Sequence, residues 1–195
     1  MPEDESRRFT LADAMVLVAA TTPGLVLIRI ANGLELFAAD PTGRSPFGRR
    51  LVEYLCVAGG SILTPLMLAV LVLRIRELRP NPSEAFQGPG FMACVAVLVA
   101  SILPVAYYVV SVVITIGDAF PIFSTPFNNL FARLAMGAGP LIVGAWLAMA
   151  CLGRWKISPS WADRLGCVLG ILWILIYLYA ELYFIAHPLF LWLSR

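Results

Sequence analysis

The chain has 195 residues, of which 60% are hydrophobic and 13% charged, with a formal net charge of +2. A soluble domain of this length carries about a quarter charged residues, so the composition excludes that class and points to an all-α, polytopic integral membrane protein. Its basic residues are scattered along connecting segments rather than massed on one helix, which excludes a nucleic-acid-binding surface.

The first apolar run, Ala14 to Ile28, follows Arg7 and Arg8 and is interrupted by Arg29 before IANGL and Glu35. The only clear A-x-A, Ala12-Asp13-Ala14, precedes that run, so the segment reads as a retained signal-anchor rather than a cleaved leader. Thr10 is placed to cap the helix, and Asp13, three residues on, favours its first turn. The stretch RRFTLADAMVLVAATTPGLVLIR resembles the first membrane segment of uncharacterised bacterial membrane proteins that begin F-[ST]-L-x-D-x-M-V-L-V-A. That resemblance covers the N-terminal segment alone and implies insertion without an activity.

Three blocks without charge follow: Tyr54 to Leu73, Phe91 to Gly117 and Leu134 to Gly153, of 20, 27 and 20 residues. Each is long enough to cross a bilayer as a helix. The last run, Leu165 to Ala180, has 16 uncharged residues and reaches spanning length only if it continues past Glu181 to Ala186. Five spans in one membrane-embedded domain are therefore predicted, over 11–37, 51–76, 90–117, 130–153 and 161–187. The alternative is four, with an end segment lying along the interface. Residues 118–129, DAFPIFSTPFNN, carry three phenylalanines, two prolines and no base, and are expected to lie against the outer membrane face.

Alternation of five spans puts eight basic residues on the N-terminal side: Arg7, Arg8, Arg74, Arg76, Arg79, Arg154, Lys156 and Arg164. Four lie opposite: Arg44, Arg49, Arg50 and Arg195. Cytoplasmic loops are the basic ones, so the reading is a bacterial inner membrane protein with its N-terminus in the cytoplasm and its C-terminus outside.

Motifs for chemistry are absent from the sequence. His187 is the one histidine, which excludes a bis-histidine haem or a multi-histidine zinc site. Cys56, Cys94, Cys151 and Cys167 fall inside spans without C-x-x-C spacing and read as small buried hydrophobes. No catalytic residue, metal ligand or cofactor is assigned. Pro23, Pro65, Pro104 and Pro140 sit near the middle of four spans, accompanied by small residues such as Gly24, Gly59-Gly60-Ser61 and Gly137-Ala138-Gly139. They signal either close helix packing or broken helices around a binding site, and packing is the reading adopted. Gly166 and Gly170 form a G-x-x-x-G on the fifth span, which lets another helix approach.

The remaining signal is a group of charges that alternation brings to the outer half: Arg29, Glu35, Glu53, Asp118, Arg133 and Glu181, with Tyr107, Tyr108, Tyr177, Tyr179 and Tyr183. One reading makes them interfacial, snorkelling into the headgroups. The other makes Arg29, Glu53, Arg133 and Glu181 a buried binding network, with Glu181 paired to Arg133 first and Arg29 second. Three function classes follow in order. A small scaffold or accessory subunit would have as partners the lipid bilayer and other membrane subunits or a second copy. The alternative is a transporter or channel module using the outer cluster. An intramembrane enzyme comes last, because no nucleophile–base or metal pair is visible.

Overall fold

A computed structural model of the chain describes residues 9–33, 47–77, 88–115, 124–155 and 160–193. These residues form α1 (Leu11–Gly33), α2 (Phe47–Glu77), α3 (Pro89–Thr115), α4 (Ser124–Cys151) and α5 (Trp161–Leu193), with no strand among them. Each expected span coincides with one helix, but several ends differ. Helix α4 begins at Ser124 rather than 130, which takes half of the 118–129 segment into a helix. Pro126 does not prevent this, because it sits in the first turn, where its missing N–H has no intrahelical partner to lose. Residues 118–123 lie outside the described ones. Helix α5 continues through Pro188 to Leu193, well past the expected end at 187.

Helices α1, α2, α3 and α5 are long and apolar enough to cross a membrane, whereas the apolar part of α4 is the shorter Met136–Cys151.

Local sequence sets the helix ends. At the start of α1, Asp13 Oδ2 accepts from the Thr10 N–H (3.0 Å) and hydroxyl (2.8 Å), while the Asp13 N–H donates to Thr10 Oγ1 at 3.3 Å. This is a capping box closed by aspartate, as the sequence suggested. Pro89 opens α3 at the position where proline is favoured. At the end of α4, Gly153 adopts φ 64°, its N–H donates to Ala150 O (3.1 Å), and the Arg154 N–H reaches Met149 O (2.9 Å). That pattern is a Schellman motif, and the left-handed residue in it needs glycine.

The four central prolines leave their helices continuous. Pro65 removes the N–H that would bond the Ser61 carbonyl, and Gly24 of α1 lies directly against that oxygen. The orphaned carbonyl is thus covered by backbone rather than opened to lipid.

Helices α2 to α5 all pack on one another, and α1 packs chiefly on α2. Lipid tails are as apolar as leucine, so helices associate through close van der Waals contact and small residues at crossings. Gly166 lets α5 reach the Gly90 carbonyl of α3, with a substituted Cβ only 2.7 Å from it. At Gly170 the same atom would lie 3.0 Å from Ala93, and at Gly139 only 2.5 Å from Tyr177. The G-x-x-x-G of α5 is therefore a helix-packing face. Trp173, Met67, Val97 and Ile142 fill the centre, each at 2% exposure or below.

Contacts also give the helix directions. Gly166 meets Gly90 and Gly170 meets Ala93, so α3 and α5 run parallel. Trp146 reaches Pro89 whereas Gly137 meets Ala100, so α4 is antiparallel to α3. Helix α2 is about 46 Å long, and the link from Glu77 to Gly88 spans at most roughly 40 Å. The end of α2 is accordingly tethered near the start of α3.

Candidate functional site

One end of the bundle gathers the starts of α1, α3 and α5 with the ends of α2 and α4. Among the described residues, three of the four buried polar or charged side chains are here: Asp13 (2% exposed), Arg74 (8%) and Asp163 (1%). The fourth, Ser61, lies at the α1–α2 crossing.

Asp163 is the centre of this end. It occupies the first turn of α5, as the sequence places it, but its carboxylate also serves another helix. Its Oδ1 accepts the Phe91 N–H of α3 at 3.0 Å. The first N–H groups of a helix lack intrahelical acceptors, so Asp163 caps α3 from a distance of 72 residues. Gly88 lies against the carboxylate itself and Gly90 against the Asp163 backbone carbonyl. Both contacts require the missing side chain. Asp163 Oδ2 is buried with no hydrogen-bond partner. The positive ends of two helix dipoles, those of α3 and α5, supply the stabilising field for the charge.

Tryptophans lie at the same end of the bundle. The Trp146 indole N–H donates to Pro89 O at 2.8 Å, joining α4 to the start of α3. Trp146 meets Trp155 edge-on at 5.8 Å, and Trp161 meets Phe9 edge-on at 4.8 Å. Phe9 thereby brings the start of α1 against the start of α5. Arg76, Arg154 and Arg164 are exposed at the same end.

No family model, curated protein or solved structure matches this chain.

The outer charges are arranged differently. Arg29 and Arg133 are exposed, while Glu53 and Glu181 are half-buried. Glu53 and Arg133 each engage an interaction partner. Glu35, Asp118 and His187 lie outside those whose surroundings are described, as do the side chains of Tyr107 and Tyr108. Tyr177 packs on Gly139, which makes it a helix-contact residue. Among the described residues no three His, Cys, Asp or Glu side chains come together as a metal site.

In the sequence Asp163 stands only as an acid just before the last apolar run. The signal was present in Gly88-Pro89-Gly90, a glycine-flanked helix start with room for a foreign carboxylate, but nothing in the chain order pairs it with residue 163. Chemically the arrangement is an acceptor clamp. It fixes the relative depth of α3 and α5.

Proposed function

We propose that the chain is a multi-pass protein of a bacterial inner membrane that serves as a small scaffold or accessory subunit of a membrane complex. The observation that carries this reading is the use of the buried carboxylates. Asp13 closes the start of its own helix and Asp163 caps α3 from α5, so both carboxylates serve the helical framework. Packing glycines at the α1–α2, α2–α5, α3–α5 and α4–α5 crossings support the same reading. Helix α1 supports the partner half of it: Leu11, Met15, Val18, Leu25 and Val26 are each more than half uncovered by protein. The tryptophans and arginines at the Asp163 end of the bundle suit a cytoplasmic interface, and they agree with five spans and an inward N-terminus.

Two measurements test the proposal. Reporter fusions after Pro46, Ser83, Phe120 and Ser158 should alternate out, in, out, in, and two adjacent loops reporting one side overturn the five-span topology. Single cysteines at Met15, Val18 and Leu25 should cross-link in native membranes to one protein of fixed mass, whereas a cysteine at the buried Leu73 should not. Adducts to none of the three α1 positions, with substrate uptake lost on changing Arg133 or Glu181, would replace the scaffold reading by transport through the outer cluster.

A further inference from the structure

We propose that the seam between α3 and α4 is a binding site for one acyl chain of an anionic phospholipid, whose phosphate sits at Arg154. The proposal rests on the membrane insertion proposed above. The seam holds a cavity of about 290 Å³ walled by Met92, Val95 and Val99 of α3 and by Pro140, Leu141 and Gly144 of α4. On α3 these residues recur at i, i+3 and i+7, one face of the helix. The cavity exists because Gly144 supplies no side chain and has nothing within 4 Å of where its Cβ would lie.

Size and depth choose the occupant. A 10 Å length of α-helix with its side chains fills roughly 800 Å³, so a partner helix does not enter. From the start of α3 at Pro89, Met92 lies about 5 Å along the helix axis and Val99 about 15 Å. That is the depth of one leaflet, half of a hydrocarbon core ~30 Å thick. Beyond Val99 the seam narrows, because a Cβ at Gly137 would stand 3.8 Å from Ala100. The slot thus narrows near the bilayer midplane, as a chain end requires. An unfilled slot there would forfeit dispersion contacts along its whole wall.

Charge selects the headgroup. Arg154 is exposed immediately beyond the α4 terminus, and Arg164 is exposed in the first turn of α5 at the same end. A cation near the surface attracts anionic lipid over zwitterionic lipid.

The test uses the full chain, solubilised from vesicles of phosphatidylcholine with phosphatidylglycerol and washed in detergent, with retained lipid read by native mass spectrometry. The wild type should keep one phosphatidylglycerol per chain. Gly144→Phe should lose it, since the ring fills the slot, and Gly144→Leu gives the same answer with a smaller group should the ring impair folding. Arg154→Gln should lower the preference for phosphatidylglycerol over phosphatidylcholine about fivefold, the effect of one arginine on an anionic surface, while a lipid is still retained. Equal retention by wild type and both Gly144 variants overturns the proposal. So does a wild-type dimer that Gly144→Leu converts to monomer, because the slot would then take a side chain of a second copy. Extraction of the chain from membranes by alkali would instead overturn the insertion on which the site depends, and it is read before any lipid is weighed.

Discussion

Gly88 meets only the side chain of Asp163, whereas Gly90 meets chiefly its backbone carbonyl and touches Oδ1 only at 2.9 Å, and that difference makes the clamp testable. A methyl group at Gly88 would run into Asp163 Oδ1, with Cγ at 2.7 Å and Oδ2 at 2.9 Å, all side-chain atoms. A methyl group at Gly90 would run into the Asp163 backbone carbonyl, with its carbon at 2.7 Å. Overpacking a tight contact costs about 1–3 kcal/mol, so Gly88→Ala and Gly90→Ala should each destabilise by roughly 2 kcal/mol. Asp163→Ala removes the acceptor for the Phe91 N–H and should cost about 1–2 kcal/mol, part of the loss being offset by removing the unpartnered Oδ2. The two glycines part company in the Asp163→Ala background. There Gly88→Ala should cost under about 0.5 kcal/mol, because the atoms it meets are gone, whereas Gly90→Ala should keep most of its cost, because its closest contacts are backbone atoms. The assay is thermal unfolding of the purified chain in one detergent, where about 1 kcal/mol moves Tm by roughly 2–4 °C at this chain length. Rescue of both glycine variants, or of neither, would refute the assignment of side-chain and backbone contacts.

Three smaller perturbations probe other ends of the bundle. Gly153→Ala should cost about 1 kcal/mol through backbone strain alone, since nothing lies within 4 Å of the added methyl, and Gly153→Asn should cost less; a Tm equal to wild type for the alanine variant would contradict the left-handed cap. Trp146→Phe, which deletes the N–H that reaches Pro89 O, should lower stability by about 1 kcal/mol, and an unchanged Tm would show that bond to be dispensable. Thr10→Ala should cost about 1 kcal/mol by opening the α1 capping box, while Glu181→Gln should stay within about 0.5 kcal/mol, because Glu181 is only half-buried and the amide keeps its shape; a loss of several kcal/mol for Glu181→Gln would favour the buried network.

The helices were legible because their signal is local. Apolar runs of 16 to 27 residues, the Thr10–Asp13 box and the first-turn position of Asp163 each lie within one stretch of chain. Small residues were correctly read as packing, since Gly166 and Gly170 occur in a spacing that only a close approach uses. The boundaries of α4 and α5 were missed for a shared reason. Both ends lie beside prolines: Pro126 sits where no hydrogen bond is lost, and Pro188 is carried inside a continuing helix. The buried polar end was not legible. Alternation of spans groups every charge by leaflet but says nothing about which helix neighbours which. The Asp163–Phe91 bond depends on α3 and α5 lying side by side, a property of the packed bundle. The same limitation drew attention to Glu181, whose apolar setting in the sequence is conspicuous, and away from Asp163, which looked like an ordinary first-turn acid.

The parallel course of α3 and α5 also explains why an acid is required at residue 163. Two parallel neighbours bring their N-termini together, and each terminus carries roughly half a positive charge. At a buried end of the bundle those like charges repel, so a carboxylate between them stabilises both at once. Asp163→Asn separates this effect from the hydrogen bond. Asparagine keeps the volume and the oxygen that accepts the Phe91 N–H, but it removes the charge and places an amide where Oδ2 has no partner. Each dipole contributes about 0.3–1 kcal/mol to a nearby acid, so two give roughly 1–2 kcal/mol, and the unpartnered amide adds to the loss. Asp163→Asn should therefore unfold at a lower temperature than wild type by several degrees, close to Asp163→Ala. A Tm indistinguishable from wild type would mean that the oxygen alone holds α3 to α5, and the electrostatic account of this end of the bundle would have to be abandoned.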